Sequence, residues 1–303
     1  MLRLVLGTMA LMVSSTGHAV QPLQPASKWQ VDFGQTGCVA LRKYGGETDG
    51  AHLVLKRYAI GDRYELALIE DGEVAEPLSG EGVISAGGTQ TSVPAIRYGD
   101  ADAGRTVTTW YGDGLAALGA AEQVDLRFGQ IVHSLALTQT AKVVEALEQC
   151  QAMLGDYYNM DGAVTPAEGS VDVLRDDDWP LLAADRDSES VFRALLLLDE
   201  EGKVADCSLL SFAGDALFVA RSCGLIRERA TFKPATGADG QPIRSAYVTP
   251  VVAWRIGKDV SNVRMKEFLR RDAVNEGRNR GPGDSEGVLM RPPGEGRVGQ
   301  RPN

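Results

Sequence analysis

Residues 192–210, FRALLLLDEEGKVADCSLL, decide how the second half of this chain is read. Phe192–Leu198 is a near-continuous apolar run, the pattern of a strand covered on both faces. Asp199-Glu200-Glu201-Gly202 is a polar turn. Lys203–Leu210 then alternates, with Val204, Asp206, Ser208 and Leu210 on one face and Ala205, Cys207 and Leu209 on the other. The two runs read as a hairpin. Downstream the period changes. Asp215 can cap a helix in which Leu217, Ala220, Cys223 (or Gly224) and Ile226 recur at helical spacing. Arg227 and Arg229 near its C-terminus suit the helix dipole. Phe232-Lys233-Pro234-Ala235 ends the helix, Asp239-Gly240-Gln241-Pro242 turns the chain, and Tyr247–Ile256 is the third strand. The spacing predicts a small β-β-α-β domain over residues 178–258.

Residues 20–160 read differently. Trp29–Arg42 shows extended apolar alternation around Cys38. His52–Tyr58 and Tyr64–Glu70 pair across a turn at Gly61-Asp62, and Thr106–Tyr111 and Val124–Phe128 are further strands. In Ile131–Leu137 the odd positions share one apolar face, and His133 lies on it as a core or half-buried histidine. Thr140 can then cap a helix whose stripe is Val143, Leu147, Cys150 and Leu154. Gly87-Gly88 reads as a turn, and His52 as a surface residue. The expected fold class is α+β: an N-terminal β-rich domain with one closing helix, then the β-β-α-β domain, then a disordered tail.

Charge separates these parts. The chain has 303 residues and a net charge of −10. That balance argues against nucleic-acid binding, which needs a basic footprint. Residues 161–190 hold nine acidic and two basic side chains, and the run Asp176-Asp177-Asp178 lacks the spacing of a calcium loop. Residues 161–177 therefore read as a solvated acidic linker. Residues 259–303, rich in Gly, Arg, Asn and Pro, cannot bury enough surface to offset their ordering entropy. A short helix over Val263–Leu269 is the one regular element that could form there.

The N-terminus, MLRLVLGTMALMVSSTGHA, has one basic residue, an apolar run of ten and small residues at 17 and 19. This is the pattern of a signal peptide over residues 1–19, cleaved after Ala19. The run is half what a membrane-spanning helix needs, about 20 residues. Export to the periplasm makes the four cysteines candidates for two disulfides. Four cysteines allow three pairings, and the domain layout favours Cys38–Cys150 and Cys207–Cys223. There is no CxxC.

The ordered series in the second half resembles the C-terminal domain of TonB-type proteins of the bacterial envelope. The residues that carry it are Asp178-Trp179-Pro180, Asp199 with Gly202-Lys203-Val204, Ser211 with Gly214, Leu217, Arg229-Ala230-Thr231-Phe232-Lys233-Pro234-Ala235, and Gly240-Gln241-Pro242-Ile243. The Cys207/Cys223 pair is similar to a disulfide-bearing variant of that family. Trp179 stands in place of the usual Tyr. No long Pro-rich spacer precedes the domain, and a globular domain occupies that place.

The resemblance implies a small sheet whose edge takes a partner strand. It points to Tyr247, Thr249, Val251, Ala253 and Arg255, or the opposite face, along the third strand. The expected function is a non-enzymatic periplasmic envelope protein that binds a protein or peptide partner, an outer-membrane receptor among the candidates. The chain's own tail or a second copy, giving a homodimer, could close the same edge. The alternative is a TonB-type energy transducer for outer-membrane receptor transport, with the N-terminal segment uncleaved as an inner-membrane anchor facing the periplasm. No motif of a hydrolase, metalloprotease or phosphate-binding loop is present. No catalytic residue, cofactor or metal is expected.

Overall fold

The structure is a computed structural model, and it describes residues 21–46, 50–72, 74–160, 165–175, 178, 189–254 and 288–290. The signal-peptide reading, Trp179, the Val263–Leu269 helix and Arg255 lie outside the described residues. The molecule is mostly antiparallel β-structure with few helices.

Nine strands form the first sheet: β1 (Gln30–Phe33), β2 (Cys38–Tyr44), β3 (Ala51–Arg57), β4 (Arg63–Asp71), β5 (Leu78–Ala86), β6 (Thr89–Asp100), β7 (Arg105–Asp113), β8 (Gln123–Phe128) and β9 (Ile131–Ala136). Their order is β1-β2-β3-β4-β7-β6-β5-β8-β9. The runs read as strands from their alternation are strands, except that Trp29–Arg42 is two, β1 and β2, which pair antiparallel about a turn at residues 34–37. The hairpin β5–β6 is an addition. Its residues are rich in Ser, Thr and Gly, so its alternation is weak. Its turn is Gly87-Gly88, both with positive φ, as a two-residue hairpin loop requires.

The sheet curls until its ends are joined. Leu23 forms a parallel bridge to Leu135 of β9, and Pro25 an antiparallel bridge to Tyr44 of β2. The Leu23 N–H donates to Ser134 O at 2.8 Å, and the Ala26 N–H to Lys43 O at 2.8 Å. The segment 23–26 is thus the stave that closes a barrel, covering the free side of β9 and joining it to the end of β2. The concave face is apolar: Leu66, Leu68, Ala95, Trp110, Val124, Leu126 and Leu135 are all buried.

Two helices cover one end of this barrel, α1 (Ala116–Gly119) and α2 (Thr140–Tyr157). Val143, Val144, Leu147, Cys150 and Leu154 of α2 join the barrel core. Cys150 is bonded to Cys38 at the start of β2. The Gln151 amide donates to Tyr58 O and Gly61 O, each at 2.8 Å. The helix cap differs from the expectation. Gln139, in a left-handed conformation, precedes the helix, and Thr140 is its first residue, with a buried hydroxyl that caps nothing.

The second sheet has β11 (Val204–Gly214) beside β10 (Ser190–Leu198). β14 (Ser245–Val248) and β15 (Val252–Trp254) lie on the other side of β10, and β16 (Val288–Met290) lies beyond β15. A two-stranded ribbon joins β12 (Ala235–Thr236) to β13 (Pro242–Ile243). The β10–β11 turn is local chemistry: Asp199 Oδ1 accepts from the N–H groups of Glu201 and Lys203. Gly202 has φ of +76°, and a side chain there would strike the Phe232 backbone, whose N–H donates to Gly202 O.

Helix α3 (Ala216–Arg229) packs on this sheet, and Cys223 bonds Cys207 of β11. Both disulfides follow the domain-layout pairing. The buried stripe of α3 is Phe218, Val219, Ser222, Leu225 and Ile226. Ala220, expected on it, is exposed. The phase was hidden because Ser222 is polar. Its hydroxyl accepts from the Trp254 indole at 2.8 Å inside the core.

Two expectations about the flanks need correction. Residues 165–175 are not a solvated stretch. Val171 and Leu174 are buried in the second core, and Thr165 and Glu168 bridge to Thr236 and Lys233. Asp178 is only 5% exposed. Its carboxylate pairs with Arg229 Nη1 at 2.7 Å and accepts from the Arg175 N–H at 2.9 Å. The tail also contains the strand β16.

Two predictions follow from this architecture. The Cys38–Cys150 bond has a sequence separation of 112, and the Cys207–Cys223 bond one of 16. On the loop-entropy scale, replacing the first pair by alanine lowers the unfolding free energy by about 5 kcal/mol and the second by about 3 kcal/mol. Denaturant titration of each double variant measures this. The second prediction concerns Asp178. Burial opposes its ionisation, but the hydrogen bonds from Arg229 and the Arg175 N–H, with the charges of Arg229 and Arg221, outweigh it and lower its pKa below 3.8. A depressed acid stabilises the fold above its unfolded pKa, and this is lost as pH falls from about 4 towards the folded value. Asp178→Asn should cost about 1.5–3 kcal/mol at pH 7, with the gap to wild type narrowing below pH 4 in urea melts.

Candidate functional site

The outer side of the second sheet is built from a strand that does not run straight. Leu195 pairs with Val248, and Phe192 pairs with Val252. Three steps along β10 therefore face four steps along its partner, so one extra residue is inserted between β14 and β15. Pro250 sits at this break, where it has no N–H to offer the ladder. The third strand, expected as one run over Tyr247–Ile256, is two short strands joined by Thr249-Pro250-Val251.

The insertion reverses which way side chains point. Tyr247 lies opposite Leu196, whereas Ala253 lies opposite Val191. The alternate residues expected along one face are thereby divided between two. Tyr247 is half-buried. Its ring lies 4.7 Å from Phe232, and its hydroxyl donates to Gly169 O at 3.3 Å. Ala253 is 9% exposed. Val251 is half-buried in the break.

Thr249 is fully buried, and its role is to hold the break together. Its N–H donates to Ala194 O at 2.9 Å, and its hydroxyl accepts from the Ala194 N–H at 3.0 Å. The side chain stands in for the backbone carbonyl that a regular ladder would supply there. Arg193 Nε donates to the Thr249 carbonyl at 3.1 Å. A threonine placed before a proline gave no sign of this in the sequence, because its alternation with Tyr247 and Val251 looked regular.

Beyond β15 the edge is occupied. β16 pairs with it in parallel register, Val252 with Val288, Ala253 with Leu289 and Trp254 with Met290. The sequence reading expected a disordered tail over residues 259–303, with a short helix at Val263–Leu269 as its one possible element and no strand. One signal was available: Val288-Leu289-Met290 is the sole run of three apolar residues after residue 260. β15 itself is anchored from below, with Val252 and Trp254 fully buried against α3 and β10.

Among the described residues, no helix is long and apolar enough to cross a membrane. Comparison with protein-family models, with curated proteins and with solved structures finds no match for this chain.

Thr249→Val keeps the shape of the side chain and strands the buried Ala194 N–H. It should destabilise the protein by about 1–3 kcal/mol, whereas Thr249→Ser should restore most of the loss. Thermal or urea unfolding of the two variants checks this.

Proposed function

We propose that this is an exported, non-enzymatic binding protein of the bacterial envelope that takes an extended segment of a partner protein as an added strand along Val252–Trp254. The observation that carries the reading is the β15–β16 pairing, in which a distant three-residue strand is held on this edge in register. An edge that accepts the chain's own segment offers the same N–H and C=O groups to another chain. The buried Val252 and Trp254 keep that edge rigid, so its ordering cost is met before a partner arrives. Two disulfides and the N-terminal sequence pattern support export. The β-β-α-β order over residues 178–258 supports a TonB-C-like domain, and with it a periplasmic partner such as an outer-membrane receptor. In this reading the tail is an internal competitor that keeps the edge from pairing with unintended strands. The anchored energy transducer is the second reading, and the N-terminal residue of the mature protein separates the two: a start at Val20 ends it.

The test is photo-crosslinking in cells with a benzophenone amino acid in place of Val251, in the full chain and in a chain lacking residues 259–303. Removing the tail strand should raise the yield of an adduct to another envelope protein severalfold. An unchanged adduct pattern, or an adduct only at the mass of two copies, overturns the partner-strand reading.

A further inference from the structure

The barrel end remote from α2 carries polar side chains that the fold does not use. Arg97 of β6 and Thr108 of β7 are direct cross-strand partners, on the same face as the core residues Ala95 and Trp110. Glu70 of β4 follows Leu66 and Leu68 on that face, and His133 of β9 precedes Leu135 on it. β4 and β9 are five strands apart along the sheet, roughly 24 Å if it were flat. His133 Nε2 nonetheless lies 3.5 Å from Glu70 Oε1. The four side chains therefore meet across the inside of the barrel.

Three of the four present buried polar atoms with no hydrogen-bond partner: Arg97 Nε, Thr108 Oγ1 and His133 Nε2. Thr108 is 0% exposed. Among the described residues, Arg97 makes no ion pair and no side-chain hydrogen bond. Buried polar groups are paired in the great majority of folded proteins, and an unpaired group costs stability. Arg97 and Thr108, on adjacent strands, are a donor pair without an acceptor, whereas His133 Nε2 already faces the Glu70 carboxylate. The neighbouring Glu70 side chain is 32% exposed, so the cluster lies close to solvent. The mouth is apolar. Leu78 lies across from Arg97 on β5 and is 48% exposed, and Val74, packed over Gly99, is 43% exposed.

We propose that this end of the barrel binds a small aliphatic carboxylate. The ligand's carboxylate pairs with the Arg97 guanidinium and accepts from the Thr108 hydroxyl, and its hydrocarbon part rests on Leu78 and Val74. A guanidinium matches a carboxylate in two parallel hydrogen bonds, which suits an arginine that no protein carboxylate holds. Glu70 stays on His133 and orients the ring. The site is separate from the Val252–Trp254 edge, so either reading can fail without the other.

The test uses the full-length oxidised protein, hexanoate as the probe, and the variants Arg97→Gln and Thr108→Val. Heteronuclear NMR should show saturable shifts at Thr108 and His133 with hexanoate at millimolar concentration. Each substitution should weaken binding about tenfold or more. Thr108→Val removes a hydroxyl that has no partner, so this variant should melt no lower than wild type while losing the probe. That separates lost binding from lost fold. Absence of saturable shifts in the wild type, or equal affinity in Arg97→Gln, overturns the proposal. A Thr108→Val protein that melts well below wild type overturns the assignment of its hydroxyl. Displacement of hexanoate by inorganic phosphate at equal affinity overturns the carboxylate class in favour of a bare anion site.

Discussion

One strand belongs to two cores, and most of the architecture depends on that. In β10, Leu195 and Leu197 are buried with the barrel residues, whereas Phe192, Ala194, Leu196 and Leu198 are buried with α3, Phe212 and Trp254. A strand covered on both faces cannot be apolar on alternate residues only, and this is why residues 192–198 read as a near-continuous run. Traffic across the junction goes both ways. Ile96 and Tyr111, on the convex face of the barrel, belong to the second core, where the Tyr111 ring meets Phe212 edge-on at 5.1 Å. Polar groups seal the same junction: Lys56 pairs with Asp206 at 3.2 Å, and the Tyr58 hydroxyl lies 2.7 Å from Leu209 O. Burial, with Glu65 and Tyr111 close by, holds the Tyr58 phenol well above its usual pKa, so it remains a neutral donor.

What the sequence disclosed follows from this physics. Strong periodicity is readable where one face meets water, as in β2, β3 and β4, each of which alternates buried and half-exposed residues. The cysteine pairing was readable because each pair lies within one run of elements. Other features were invisible for specific reasons. The β5–β6 hairpin is built largely of Ser, Thr and Gly, and close packing takes the place of bulk: Gly82 leaves room for the Trp110 indole. The inserted residue at Thr249 depends on a hydroxyl that replaces a carbonyl, and no residue pattern announces that substitution. Ser222 is polar yet central to α3, because its hydroxyl meets both the Phe218 carbonyl and the Trp254 indole. His133 was correctly placed on the inner face of its strand. The company it keeps there comes from strands far away in sequence, which local alternation cannot reveal.

The barrel and the second sheet treat their edges in opposite ways. Closure through Leu23–Ala26 uses up the hydrogen-bonding groups of β9 and of the end of β2, so the barrel offers no template there. The second sheet is open, and natural sheets blunt such edges by covering them or keeping them short. Both devices occur here: β15 is three residues long, and β16 covers it.

That cover is necessarily weak, and its weakness follows from its length. A three-residue parallel pair contributes few hydrogen bonds, each of about 1 kcal/mol net, and parallel pairing is slightly the less stable kind. The tail holds its place because it is tethered. Residues 255–287 lie between the two strands in sequence, so the pairing is intramolecular and needs no encounter between two chains. In the partner-strand reading proposed above, a segment free in solution must overcome that advantage. It can do so by pairing over more residues than Val288–Met290. Under the proposed reading, the edge therefore selects against short, generic strands and admits longer, better-matched ones. A tethered competitor sets that threshold without adding a single contact to the partner.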